Sequence, residues 1–119
     1  MSKRDRLSKP VDAPVDIALV LVCEKCGKHL GPDGKNASPH LASKLKRCFK
    51  RRLERGQARA ILTSCMDVCP EDRVTVVVVP SHRGPAQYCE MDVSDLDAAS
   101  DAVLELVRRL QAPAPAPAA

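Results

Sequence analysis

Apolar runs along the chain predict four strands. The run DIALVLV (16–22) has no polar position after its first residue, which is typical of a strand buried on both faces. The segments ARAILTS (58–64), RVTVVVVP (73–80) and AQYCEM (86–91) predict three further strands, and the valine-rich segment is the most strongly β-branched of them.

Two other stretches have apolar residues at helical spacing. The first predicted helix has Ser38 as its cap and Pro39 at its first position, and it ends at Gly56. The second has Ser94 as its cap, with Asp97 three residues later in a capping-box arrangement. Their apolar faces are Leu41, Leu45, Phe49 and Leu53 in the first helix, and Leu96, Ala99, Val103, Leu106, Val107 and Leu110 in the second.

The elements follow one another in the order β-α-β-β-β-α. A strand, a helix and a second strand predict a right-handed parallel unit, and the short turn SHRGP (81–85) predicts an antiparallel hairpin after it. The prediction is therefore an α/β domain in the thioredoxin-like layout, with a mixed four-stranded sheet and two main helices. It spans residues 15–110, between a disordered basic arm (1–14) and an Ala-Pro tail (111–119).

Composition narrows the classes of partner and the compartment. The chain has 119 residues, a net charge of +4, six cysteines and only two aromatic residues, one Phe and one Tyr. A weak positive charge with no aromatic platform for stacking bases argues against nucleic acid as a partner. The apolar run before Cys23 is too short for an export signal and lies behind Pro14 and Asp16, and no run is long enough to span a membrane. We therefore expect a cytoplasmic protein, in which spaced thiols usually bind metal or do redox chemistry.

Four of the cysteines form two pairs, and each pair follows a predicted strand. Cys23 and Cys26 follow the first strand, and Cys65 and Cys69 follow the second. Because parallel strands of a β-α-β unit end at one edge of the sheet, both pairs are expected to emerge there side by side. Four thiolates on two convergent loops suit a tetrahedral metal or a small iron–sulfur cluster. The spacing matches neither a zinc ribbon nor the ferredoxins that hold three cysteines in one loop.

The segments VCEKCGKHL (22–30) and LTSCMDVCPEDRVTVVVVP (62–80) resemble the thioredoxin-like [2Fe–2S] ferredoxins. This cluster domain also occurs in the small peripheral subunit of respiratory NADH dehydrogenase, and a related group of uncharacterised small metal-binding proteins has the tight C-x2-C form. The resemblance implies an electron carrier, not an enzyme, with one [2Fe–2S] cluster on Cys23, Cys26, Cys65 and Cys69. It also implies redox partner proteins that dock at the cluster edge, with acidic proteins as candidates, and it leaves a homodimer open.

Two other functions remain open on the residues alone. One is a thioredoxin-like dithiol oxidoreductase that uses Cys23 and Cys26, and the other is a protein with a structural zinc ion on the same thiolates. In thioredoxin the C-x-x-C pair begins a helix whose N-terminus lowers the thiol pKa. Here the segment after Cys26 contains three glycines and a proline, which keep the helix away and count against the dithiol function.

The remaining thiols and a nearby histidine are predicted to have no ligand role. Cys48 lies in the middle of the first helix and Cys89 in the fourth strand, where free cysteine usually packs as a small hydrophobe. The rival hypothesis, in which Cys48 replaces Cys26 as a ligand, requires the helix to begin late. His29 is expected to be a solvent-facing loop residue.

Overall fold

The structure is a computed structural model that describes residues 15–64, 72–82 and 84–111. It has four strands and two helices in the predicted order, with a short 3₁₀ turn at Pro32–Gly34 inside the predicted loop. The elements are β1 (Ala18–Cys23), α1 (Ala37–Arg52), β2 (Ala58–Thr63), β3 (Val74–Pro80), β4 (Gln87–Met91) and α2 (Leu96–Gln111). The predicted arm (1–14) and residues 112–119 of the predicted tail lie outside the described residues, and Gln111 ends α2.

The four strands form one mixed sheet in the order β2-β1-β3-β4. Strands β1 and β2 are parallel, from Ala18 beside Ala58 to Cys23 beside Thr63. Strands β1 and β3 are antiparallel, as are β3 and β4. The predicted α/β class, the parallel first unit and the antiparallel hairpin are therefore confirmed.

Both helices lie on the same face of the sheet. Helix α1 contacts β1 and β2, α2 contacts β3, and the two helices contact each other. The interior between them is made almost entirely of aliphatic side chains, because Phe49 is its single aromatic residue among those described. Its largest fully buried members include Leu41, Leu45, Val20, Val22, Val76, Val78, Val103 and Val107.

Both predicted helix caps are wrong. Helix α1 begins at Ala37 and ends at Arg52 rather than at Gly56, and Ser38 lies inside its first turn instead of capping it. The reason is that the Ser38 hydroxyl donates its hydrogen bond to a carbonyl outside the helix, that of Cys26.

At α2 the cap is Asp95, not Ser94. The Asp95 carboxylate accepts hydrogen bonds of 3.0 and 3.1 Å from the N–H groups of Asp97 and Ala98, as an N-cap side chain does. The backbone N–H of Ser94 instead donates to the Asp92 carboxylate. Asp97, predicted to complete a capping box, pairs with Lys44 across the two helices at 2.6 Å. Neither described helix is long and apolar enough to cross a membrane.

Candidate metal centre

Cys23 and Cys26 form a buried pair of thiols at the end of the sheet where β1 and β2 terminate. Cys23 is the last residue of β1 and is fully buried, and Cys26 is 5% exposed. A turn joins them, in which the Cys26 N–H donates to the Cys23 carbonyl at 3.4 Å. The two thiols also interact with each other. The sequence predicted this pair as a site at the strand end, but it did not predict that both thiols are shielded from water.

Thr75 of β3 supplies hydrogen-bond donors to this pair. Its backbone N–H and its side chain both bond to the Cys26 thiol, and both interactions lower the pKa of that thiol. Burial has the larger effect, so the pKa of Cys26 is raised overall, and the neighbouring Cys23 raises it further. Thr75 is fully buried and directly precedes Val76, which pairs with Val22 near the end of β1. Its backbone therefore faces the point where β1 ends.

The start of α1 holds the Cys23–Cys26 turn in place. The Ser38 hydroxyl donates to the Cys26 carbonyl at 2.6 Å, and the Ala37 N–H donates to the Gly27 carbonyl at 2.9 Å. Gly27 has a φ of +72°, and a Cβ placed there would lie 2.6 Å from a methyl carbon of Val74. The turn is thus packed between β3 and the first turn of α1, in a backbone conformation that glycine adopts at low cost.

The expectation that the glycine-rich segment keeps the helix away from the cysteines needs correction. Ten residues separate Cys26 from Ala37 in sequence, but the 3₁₀ turn folds back and brings the start of α1 against the Cys26 and Gly27 carbonyls. Two donors of this helix start, the Ser38 hydroxyl and the Ala37 N–H, bond to carbonyl oxygens. Together with the raised pKa of Cys26, this arrangement does not favour a free thiolate.

The second cysteine pair, Cys65 and Cys69, lies outside the described residues. The elements on either side of that segment are described, and both adjoin the first pair. Thr63 is the register partner of Cys23, and its carbonyl accepts a 2.9 Å hydrogen bond from the Glu24 N–H. Because β3 is antiparallel to β1, Val74 begins at the same edge. Within residues 15–64, 72–82 and 84–111 there is no group of three or more side chains that could hold a metal ion.

Among the other candidate residues, Cys48 and His29 have the environments that the sequence predicted. Cys48 is half-buried in α1 and packs against the core, and Cys89 is half-buried in β4 opposite Val76. His29 is exposed, and its Nδ1 lies 3.1 Å from the Gly34 carbonyl. None of the three takes part in the cluster formed by the Cys23–Cys26 turn and Thr75 in the contacts described above.

Sequence reasoning missed Ser38 and Thr75, which hold and hydrogen-bond the Cys23–Cys26 turn. Ser38 is fully buried at the start of an otherwise apolar helix face, and a serine in that position is a usable signal for a buried hydrogen bond. Thr75 is likewise the one polar residue in the run VTVVVV. Each breaks an apolar pattern near a cysteine, and such a break is the signal by which the two residues can be found.

A pair of soft sulfur donors, buried and supplied with hydrogen-bond donors, is suited to binding a thiophilic metal or cluster. The raised pKa of Cys26 means that its proton must be displaced when such a group binds.

Comparison with known proteins identifies no relative of this chain. No family model, no curated protein and no solved structure matches the sequence.

Proposed function

We propose that this protein is an electron carrier that holds one [2Fe–2S] cluster on Cys23, Cys26, Cys65 and Cys69. The observation that carries the proposal is the buried Cys23–Cys26 pair, at the edge where β1 and β2 end and β3 begins. The proposed carrier is cytoplasmic, is not itself an enzyme, and has redox partner proteins that dock at this edge. Exposed Lys25, Lys28 and Lys35 near the turn favour acidic partners.

Chain length supports convergence of the two cysteine pairs. Thr63 lies beside Cys23 in the parallel ladder, where neighbouring strands are about 4.8 Å apart. Cys65 is two residues beyond Thr63, and two residues of extended chain span at most about 7 Å. Cys69 is six residues after Thr63 and five before Val74, and both of these residues lie near the end of β1. Both thiols are therefore within covalent reach of the Cys23–Cys26 pair.

The strand order supports a thioredoxin-like fold. A parallel β1–α1–β2 unit, an antiparallel β3–β4 hairpin and a final helix on the face of α1 follow the layout expected from the resemblance. Strands β2 and β3 lie on either side of β1 in the sheet, and Thr63 and Val74 both lie near the end of β1. The segment that carries the second cysteine pair therefore joins two points that flank Cys23, which suits a site shared by the two pairs.

When bound, the cluster supplies a one-electron couple. The chain itself supplies the environment of the sulfur atoms. Burial of Cys23 and Cys26 excludes water from their sulfurs, and the N–H and hydroxyl donors of Thr75 neutralise part of the negative charge on Cys26. Donors to cluster sulfurs raise the reduction potential, so Thr75 is a positioning residue that tunes the potential.

The structure disfavours the dithiol oxidoreductase more than it disfavours zinc. The attacking thiolate of a dithiol catalyst must be accessible to a protein disulfide, whereas Cys23 is fully buried and Cys26 is only 5% exposed. Zinc accepts the same four thiolates, so a structural zinc protein remains the second candidate.

Metal content separates the two candidates. After purification without oxygen, we expect iron and acid-labile sulfide in equal amounts, visible cluster absorbance, and a paramagnetic signal only after one-electron reduction. Stoichiometric zinc without cluster absorbance, persisting after anaerobic reconstitution with iron and sulfide, would overturn the proposal in favour of the zinc protein.

Cysteine-to-serine variants test the ligand assignment. Serine at Cys26 should abolish or strongly change the cluster absorbance, because an alkoxide is a harder and more basic ligand than a thiolate. Serine at Cys48, which is half-buried in the body of α1, is the matched control and should keep the iron content near that of the wild type. The reverse pattern would identify Cys48 as the ligand in place of Cys26.

A further inference from the structure

The outer edge of β2 has no strand partner among the described residues. On its inner side, the Gln57 and Thr63 carbonyls accept hydrogen bonds of 2.8 and 2.9 Å from the N–H groups of Ile17 and Glu24, next to β1. In a parallel ladder, alternate residues of a strand bond to the same neighbour, so the intervening residues direct their N–H and C=O groups away from the sheet. These outward-directed residues are Ala58, Ala60 and Leu62.

A cleft runs along this edge, between β2 and the side of α1. Its volume is about 760 Å³, which is in the range of sites that bind a ligand or a peptide side chain. Its apolar lining comes from Phe49, Ala58, Ala60 and Ile61. The two alanines have small side chains, which leave room beside the strand. Ile61 is 40% exposed, although it lies in the middle of a strand.

The cleft is strongly basic. Four cations line it, against the single carboxylate of Glu54: Lys46, Lys50, Arg55 and Arg59. None of the four forms a salt bridge among the described residues, in contrast to Lys44 on the other side of α1, which pairs with Asp97. Unpaired cations beside an open strand edge attract an acidic segment and repel a second copy of the same edge. Residues 1–14 of this chain are themselves net basic, so they do not complement the cleft.

We propose that the outer edge of β2 binds an extended, acidic segment of a partner protein, which adds to the sheet as a fifth strand beside β2. Backbone hydrogen bonds to Ala58, Ala60 and Leu62 hold the segment, and its carboxylates pair with the cations of the cleft. This surface goes beyond the proposed electron transfer, and binding to it does not depend on what the cysteines hold.

The probe is a fluorescein-labelled peptide of eight residues in which glutamate and valine alternate, tested with the full-length protein. We expect saturable binding by fluorescence anisotropy that weakens with salt, and no binding of the matching lysine–valine peptide. In amide hydrogen exchange followed by NMR, the peptide should protect the Ala60 and Leu62 amides. The amides of Arg59 and Ile61, which face β1, should be protected with or without it. Unchanged exchange at Ala60 and Leu62 in the bound state would overturn strand addition.

Two charge-reversal variants locate the binding surface. Lys46→Glu together with Lys50→Glu changes the cleft, and we expect peptide affinity to fall by about tenfold or more. Arg47→Glu together with Arg51→Glu makes the same change in net charge on the same helix, but these residues line a different cavity. We expect less than about threefold loss there. Equal losses in the two variants would show a diffuse attraction of anions to α1 and would overturn the proposed surface. An oligonucleotide that displaces the peptide equally well from both variants would lead to the same conclusion.

A backbone test needs no protein variant. The same peptide with every second amide N-methylated keeps its charge but cannot donate those hydrogen bonds, so affinity should fall by about tenfold. Full affinity of the methylated peptide would contradict the proposal.

Sedimentation of the free protein tests whether a second copy of the chain occupies the edge of β2 instead. A dimer that Ala60→Pro dissociates would assign this edge to a second copy and overturn the proposal.

Discussion

Gly27→Ala offers a direct test of how tightly the Cys23–Cys26 turn is held. The added Cβ would lie 2.6 Å from Cγ2 of Val74 and 3.1 Å from Cβ of Ala37, both of which belong to the rigid core. The residue also has a φ of +72°, which costs an L-amino acid about 1 kcal/mol relative to glycine. Overpacking against core atoms adds about 1–3 kcal/mol. We therefore expect Gly27→Ala to lower the free energy of unfolding by about 2–4 kcal/mol.

Gly34→Ala is the matched control for this substitution. Gly34 has the same φ of +72°, but a Cβ placed there has no atom within 4 Å. Gly34→Ala should lower the free energy of unfolding by only about 1 kcal/mol, the cost of a positive φ in alanine. The difference between the two variants therefore isolates the contact of the Gly27 position with Val74 and Ala37. Urea unfolding of the metal-free proteins measures both values. Equal losses would refute the tight packing of the turn. Gly27→Ala should also reduce the bound iron per chain, because Cys26 precedes the displaced residue.

Three further predictions concern the hydrogen bonds and thiols around this turn. Ser38→Ala removes the 2.6 Å bond to the Cys26 carbonyl and should cost about 1–2 kcal/mol in urea unfolding, and an unchanged midpoint would contradict the role given to this hydroxyl. Asp95→Ala should cost about 1 kcal/mol as the loss of the α2 cap, whereas Ser94→Ala should cost almost nothing, and the opposite ranking by thermal melting would restore Ser94 as the cap. In the metal-free protein, the raised pKa of Cys26 means that the fold favours the neutral thiol. The stability that the neutral Cys26 thiol contributes is therefore fully present below the pKa of the thiol in the unfolded chain, about 8.5. It is lost as the pH rises through the higher pKa of the thiol in the folded protein. Cys26→Ala should weaken this alkaline dependence in urea unfolding between pH 7 and 10, and an unaltered profile would assign it to other groups.

The fold could be predicted largely because its signals are local. The apolar run before Cys23 and the valine run ending at Pro80 are short and rich in β-branched residues, which favours strands over helices, and they became the two central strands. The parallel pairing of β1 with β2 followed from the handedness of a strand–helix–strand unit. These features depend on short apolar runs and on chain connectivity, both of which can be read along a single sequence.

The helix starts were mispredicted because competing hydrogen-bond partners decide them. Ser38 is a residue type that often caps helices, but its hydroxyl donates its hydrogen bond to the Cys26 carbonyl, twelve residues earlier. Asp95 and Ser94 are both acceptable caps by residue type, and the backbone geometry selected Asp95. Such choices depend on contacts between distant segments, which periodicity does not reveal.

The candidate centre was predicted only in part for the same reason. The C-x2-C spacing located Cys23 and Cys26 at a strand end, but their burial and the hydrogen bonds from Thr75 depend on how β3 passes the end of β1. The basic cleft was also beyond prediction from the charge run of α1 alone. Its shape arises from two alanines on β2, an element that follows the helix in sequence and packs beside it.

Helix α1 connects the two proposed sites and keeps their roles separate. Its first turn bonds to the Cys26 and Gly27 carbonyls, whereas Lys46 and Lys50 in its second half line the cleft beside β2. With a rise of about 1.5 Å per residue, these lysines lie about 12–18 Å along the helix from Ser38. A partner segment held along β2 would therefore occupy the side of the sheet and leave the strand ends at Cys23 open. Backbone pairing along β2 would orient the partner, while electron exchange would still take place at the strand ends, where the thiols lie.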